Sequence, residues 1–267
     1  MVFRWFRSTC EYASMRTLIA IPVYNEEKYV SRVLGHVLEY ADDVLVIDDG
    51  STDRTPALLP KFPVDVVRHA VNRGYGRSMR DAFSWATLHR FDWILTMDCD
   101  EQHEPRSIPV FIREASLIGD EAADIISGSR YLTSEAESDG SPPPDRRRIN
   151  VEITAEVNQR LGLSLTDSFC GFKAYRVEAL RRLRLNEDGY AFPMQFWVQA
   201  VAHGLRIREV PVKLIYNDPN RTFGGPLDDP AIRLGHYRRV LHCELERCAD
   251  RLPTSALMGV NAGCGCQ

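Results

Sequence analysis

The sequence predicts an α/β fold built on a mainly parallel, doubly wound sheet flanked by helices, and three observations carry that expectation. Short apolar runs alternate with segments of helical periodicity, as in repeated strand-helix-strand units. Several of the runs end abruptly in polar, carboxylate-bearing stretches, the place where open α/β sheets bind ligands. A chain of 267 residues with 44% hydrophobic content can bury one sizeable core.

Thr17 to Val23 is the first apolar run, closing on Pro22 and Asn25, and Val44 to Ile47 is the second, closing on Asp48-Asp49-Gly50-Ser51. Both read as parallel strands. Between them, residues 27–40 place Val30, Val33, Leu34, Val37 and Leu38 at helical spacing, and the crossover so formed should be right-handed. The pattern continues with a weak strand over 65–68, a helix over 75–90, a strand over 93–97, a helix over 105–117 and a strand over 124–127. Residues 133–145, rich in Ser, Gly, Pro and acids, break all periodicity and read as a mobile loop leading directly into Arg146-Arg147-Arg148. Helices are expected next over 149–161 and 191–203, then a strand over 205–210 and an amphipathic helix over 229–248. The organisation that follows is an extension over 1–16, a single domain over 17–250 and a flexible tail over 251–267.

A formal net charge of -4 supplies no general attraction for nucleic acid. Seven cysteines, Cys10, Cys99, Cys170, Cys243, Cys248, Cys264 and Cys266, are odd in number and lack the paired spacing of a zinc site, which suits a reducing, cytoplasmic setting. No apolar run approaches the roughly 20 residues that span a bilayer. Phe3, Trp5 and Phe6 beside Arg4, Arg7 and Arg16 offer a second reading of the extension, as a peripheral membrane contact. The ending Cys264-Gly265-Cys266-Gln267 lacks the aliphatic inner positions of a prenylation box.

The chemistry concentrates at four strand ends: Ile21 to Glu27, Val46 to Asp53, Met97 to Asp100 and Ser127 to Tyr131. In a parallel sheet these ends meet along one rim. Asp98 and Asp100, one residue apart, are hard oxygen donors suited to Mg²⁺ or Mn²⁺, and such an ion holds a diphosphate. His103 is expected as a hydrogen-bonding neighbour of that site and Asp53 as a helix cap. Pro22 and Tyr24 are placed to frame a nucleobase, with Glu26 and one of Asp48 or Asp49 accepting hydrogen bonds from base or ribose. The glycines of Asn72-Arg73-Gly74-Tyr75-Gly76-Arg77 fit either a phosphate loop, with Arg73 or Arg77 near the phosphates, or close packing of strand and helix.

In this order, IPVYNEE, VIDDGSTD, NRGYGRSMRDAF, MDCDEQHEP, SGSRY and SFCGFKAYR resemble the family 2 glycosyltransferases. Within them the resemblance is to the dolichol-phosphate mannose synthase-like group of polyprenyl-phosphate glycosyltransferases, and it covers roughly residues 17–225. It implies a GT-A nucleotide-sugar-binding fold with a Rossmann-like, mainly parallel sheet. It also implies a metal on Asp98, Asp100 and Gln102, nucleotide-sugar contacts from Pro22, Tyr24, Glu26, Asp48, Asp49 and Lys213, and an acceptor phosphate on Arg130, Arg147 and Arg148. Guanidinium groups suit that last task because they present paired donors to phosphate oxygens. Arg221 matches a basic position in a loop over the diphosphate, but Gly225-Pro226 stands where Ser-Lys often follows.

The implied activity is inverting, metal-dependent transfer of a hexose from GDP-mannose or UDP-glucose to a polyprenyl phosphate, with Asp98, Asp100, Arg130 and Arg221 as the catalytic set. An apolar lip at Phe169, Phe172 or Phe223 would meet the lipid. A transferase acting on the hydroxyl of a soluble sugar or small molecule is the alternative and needs a general base, for which Asp167 remains open while Glu187-Asp188, followed by Gly189, reads as a loop. A nucleotide-sugar-binding protein without turnover is the third reading.

Overall fold

The computed structural model describes residues 15–133, 138–217 and 222–260. In chain order the elements are β1 (Thr17–Val23), α1 (Val30–Val37), β2 (Val44–Asp48), α2 (Thr55–Leu58), β3 (Asp65–Arg68), α3 (Tyr75–Leu88), β4 (Trp93–Thr96), α4 (Ile108–Ala115) and β5 (Ile125–Ser129). They continue with β6 (Ser138–Asp139), α5 (Pro144–Leu161), β7 (Lys173–Arg176), α6 (Val177–Leu180), α7 (Phe192–Ala202), β8 (Ile207–Pro211), β9 (Leu214–Ile215) and α8 (Pro230–Arg247).

Seven strands form one sheet in the order β3-β2-β1-β4-β7-β5-β8. All pairs are parallel except those of β7, which runs antiparallel to both β4 and β5. The mainly parallel sheet is as expected, but β7 is an addition, because Lys-Ala-Tyr-Arg is too short to announce itself by periodicity. Alternation along β1 divides the core: Leu18 and Ala20 face one apolar layer with residues of α3, α5, α7 and α8, whereas Ile19, Ile21 and Val23 face the other with α1 and α4. Each fully buried Leu, Ile or Val among them contributes about 1.5–3 kcal/mol.

α5 starts at Pro144, five positions before the expected start at 149, because proline at the first helical position is pre-organised for the helix and Asp145 suits its positive end. The helix ends at Gly162, in the left-handed conformation with φ of 65°. The stretch expected to be a mobile loop is partly tied down: β6 pairs with β9, and Gly140 packs so closely on Tyr216 that a Cβ would lie 2.6 Å from its carbonyl oxygen. Part of the expected tail also packs on the body. Ala256 is fully buried, and Arg160 Nη1 donates to the carbonyls of Ala256 and Met258 at 3.1 and 3.0 Å. Cys99, Cys170 and Cys248 are buried thiols, but Cys243 is disulfide-bonded, which departs from the wholly reduced set expected. No helix among the described residues is long and apolar enough to cross a membrane.

Candidate active site

The carboxyl ends of β1, β2, β4 and β5 and the amino end of β7 border a cavity of about 1100 Å³. It brings together Pro22, Tyr24, Glu26, Asp49, Asp98, Asp100, Gln102 and Arg130 from the expected set. Asp48, Arg147, Arg148 and Lys213 are not among its walls, and Arg221 lies outside the described residues.

On the β1 and β2 side, two turns are laced together. Asn25 (φ of 57°) accepts the amides of Thr52 and Asp53 through Oδ1 at 2.8 and 3.3 Å, and its own amide donates to Ser51 Oγ at 2.9 Å. Asp53 accepts the Thr55 and Glu27 amides at 2.9 and 3.0 Å, so it braces the start of α2. The adjacent carboxylates divide their work. Asp48 has no exposed surface; its Oδ1 accepts the Ser51 amide at 2.9 Å and its Oδ2 lies 3.1 Å from Arg68 Nε, so it builds the turn instead of reaching the cavity. Asp49 is the one at the wall, and it holds the Arg73 and Gly74 amides, each at 2.8 Å.

The glycines after it serve packing. A Cβ on Gly74 or Gly76 would stand 2.3 or 2.2 Å from the backbone oxygens of Asp188 and Glu187, which places Glu187-Asp188 in a supporting loop. Arg77 is held by Asp81 at 2.8 Å, and neither it nor Arg73 borders the cavity.

At the end of β4, Thr96 Oγ1 donates to the Gly171 carbonyl at 2.8 Å, fixing the β4 end against the approach to β7. There Gly171 leaves room for the Asp98 carboxylate. The Asp98 amide donates to His103 Nδ1 at 2.9 Å, and the imidazole stacks on Phe172 with centroids 5.2 Å apart. Burial alone would lower the His103 pKa, but the charge of Asp98, the Cys170 hydrogen bond and the charge of Asp100 raise it. Asp100 Oδ1 accepts the Gln102 amide at 3.1 Å.

No three His, Cys, Asp or Glu groups among the described residues close into a metal cage. Two cavity carboxylates with an adjacent amide fit the other way of holding Mg²⁺ or Mn²⁺, in which substrate phosphates and water complete the shell.

Across the cavity, Arg130 is clamped by Asp167: Nε donates to Oδ2 at 2.7 Å and Nη2 to Oδ1 at 3.0 Å. Asn150 Nδ2 adds a bond to Oδ1 at 2.9 Å. Burial would raise the Asp167 carboxyl, yet Arg130, Asn150 and Lys173 hold it down to about 2, and Arg130 is raised above the usual arginine value. Asp167 is therefore a strut for Arg130 and a poor base.

Of the basic triplet, it is the first arginine, one position before the expected pair, that reaches the cavity. Arg146 borders the cavity and lies 4.7 Å over the Phe223 ring, whereas Arg147 covers Tyr131 at 3.7 Å and the exposed Arg148 pairs with Glu152 at 3.4 Å. The period explains it: Arg146 shares a face with Ile149, Asn150 and Ile153, all buried. Lys213 is engaged by Asp139 at 2.7 Å.

Two features were missed. Lys173 is buried at the cavity floor, donates to the Cys170 carbonyl and lies 5.3 Å from the Trp197 ring; burial lowers its pKa. An aromatic wall comes from Tyr75, Tyr190, Phe192, Trp197 and Tyr237, joined by Phe169 and Phe223. The remaining lip residue, Phe172, is instead core, stacked on Phe111 at 4.4 Å with no exposed surface.

Residues 18–184 match Glycosyl transferase family 2. The undecaprenyl-phosphate mannosyltransferase of Micrococcus luteus is 30% identical over 235 residues, covering 84% of this chain and 94% of the relative. The polyprenol monophosphomannose synthase of Mycolicibacterium smegmatis is 29% identical over 212 residues, covering 74% and 77%. Among solved structures, glucosyl-3-phosphoglycerate synthase from Mycobacterium tuberculosis, in complex with Mn²⁺, UDP and glucosyl-3-phosphoglycerate, superposes with a TM-score of 0.64 at 21% identity, covering 90% of this chain and 82% of that one. The sheet order with its inserted β7, the carboxylate rim and the family match agree: this chain is a GT-A-fold glycosyltransferase that belongs to Glycosyl transferase family 2.

Proposed function

We propose that the chain is an inverting, metal-dependent hexosyltransferase that moves mannose or glucose from GDP-mannose or UDP-glucose to a polyprenyl phosphate. One observation carries the acceptor class. The carboxylate on the acceptor side, Asp167, is locked to Arg130 and held at about 2, so it presents a fixed cation and does not itself serve as a base. A hydroxyl acceptor needs its proton removed, whereas a phosphate arrives ionised and needs positioning. The relatives named as polyprenol and undecaprenyl-phosphate enzymes support the same reading.

In this reading Pro22, Tyr24 and Glu26 hold the nucleotide against the wall that Asp49 braces. Asp98, Asp100 and Gln102 hold the ion, which when bound neutralises charge on the departing diphosphate. Arg130, through the Nη1 edge left by Asp167, and Arg146 hold the acceptor phosphate. A phosphate oxygen then bonds to the anomeric carbon from the face opposite the diphosphate, the carbon–oxygen bond to the nucleotide breaks, and the configuration inverts. The aromatic wall excludes water, and a lipid acceptor brings the enzyme to the membrane surface as a peripheral protein.

The test is incubation with Mn²⁺, polyprenyl phosphate in detergent, and radiolabelled GDP-mannose or UDP-glucose, followed by partition between organic and aqueous phases. Organic label that disappears in Asp100→Ala is expected. Metal-dependent donor hydrolysis without organic label would replace this reading by a hydroxyl acceptor, and nucleotide binding without sugar release would replace it by a non-catalytic protein.

A further inference from the structure

The carboxylate that braces the nucleotide wall is itself held from behind. His69, which follows β3 and is 8% exposed, sits between two acids: Nδ1 lies 2.6 Å from Asp49 Oδ1, and Nε2 lies 2.9 Å from Asp81 Oδ2 on α3. Arg77 closes the line at 2.8 Å from the same Asp81 oxygen. Burial opposes the charge on Asp81, but Arg77 and His69 hold its pKa below the ordinary carboxylate value, so it can only accept. Each Asp49 oxygen already receives a backbone N–H, from Arg73 and from Gly74. An imidazole facing two acceptor-only groups satisfies both only when both ring nitrogens carry protons. The other charged neighbour, Arg68 on its own strand, turns to Asp48.

We propose that His69 is a positioning residue for the nucleotide side of the cavity: shared as an imidazolium between Asp49 and Asp81, it fixes the Asp49 carboxylate on the Arg73 and Gly74 amides. It thereby sets the wall that Asn72 and Gly74 present to the ligand. The inference rests on reading that wall as the nucleotide side.

The experiment uses the full chain with Mg²⁺ and follows UDP and GDP affinity by calorimetry. His69→Gln should bind about tenfold more weakly, the loss of one charge-assisted bond. Asp81→Asn should keep the affinity, because the carboxamide can still partner Nε2 while Nδ1–H goes to Asp49. A nucleotide affinity unchanged in His69→Gln, with only a lowered melting temperature, would overturn the proposal. ¹⁵N spectra of the ring, together with exchange rates of the Arg73 and Gly74 amides, test the clamp without any nucleotide. Two protonated nitrogens and amide exchange faster in His69→Gln support it, and a one-proton tautomer at acid pH overturns it. Wild-type protein that binds neither nucleotide would overturn the nucleotide reading instead, with the spectra still deciding the clamp.

Discussion

The Asp98 carboxylate lies where a side chain on Gly171 would begin: a Cβ there would stand 2.6 Å from Oδ2 and 2.8 Å from Oδ1. The two residues are far apart in sequence and meet because the segment entering β7 passes beside the end of β4. Gly171→Ala must therefore displace Asp98 or its own backbone. We expect kcat to fall roughly 100-fold, the scale of an ångström-sized misplacement at a reacting centre, with the circular dichroism spectrum unchanged. Wild-type turnover in this variant would show that the position of Asp98 is not limiting.

Asp167 links the acceptor side to acid stability. Its folded pKa, about 2, lies below the reference value of 3.8, so its contribution is fully present above the unfolded pKa and is lost as pH falls through the folded one. The difference corresponds to about 2 kcal/mol. Denaturant titrations between about pH 4 and pH 2 should lose that much in the wild type and less in Asp167→Asn. Asp167→Ala, which leaves the buried Arg130 without its counter-charge, should cost about 3–5 kcal/mol at neutral pH. Parallel acid curves for wild type and Asp167→Asn would rule this linkage out.

Arg146 and Arg148, two residues apart on α5, should behave differently. Arg146→Ala is expected to raise the acceptor KM about tenfold, the scale of a lost charge-assisted bond to phosphate. Arg148→Ala removes an exposed pair with Glu152, worth at most about 1 kcal/mol, and should stay within about twofold of wild type. Equal effects at the two positions would return the acceptor phosphate to the outer face of the helix.

Chelation should weaken nucleotide diphosphate binding about 100-fold and Mn²⁺ should restore it, because two carboxylates facing a diphosphate repel it until a cation neutralises them. Asp98→Ala should show little response to either treatment. Calorimetry with and without EDTA reads both, and a nucleotide affinity indifferent to chelation would remove the metal from donor binding.

The strand ends were legible because they combine an apolar run with an abrupt polar stop, a local pattern, and the rim they share follows from the parallel fold. What was not legible depends on distant chain. Lys173 lies in a four-residue strand whose identity comes only from pairing with β4 and β5. Tyr190, Phe192 and Trp197 carry the ordinary signature of core, and only their neighbours reveal a cavity wall. Arg146 was within reach, since helical spacing from Ile149 and Ile153 points to it, but the expected start of α5 at 149 hid that register. The division of labour between Asp48 and Asp49 depends on Arg68 and His69, which no local pattern ties to either.

The antiparallel strand has a consequence for how the chain comes off the ribosome. β4 and β5 are synthesised first, yet in the finished sheet they are separated by β7, which arrives later. Until then β4 is an open edge with unpaired backbone N–H and C=O groups, and β5 has no partner among the strands already made. Pairing of β7 with both brings Lys173 and Gly171 to the rim. A chain halted before β7 would have neither a continuous sheet nor Lys173 at the floor of its cavity.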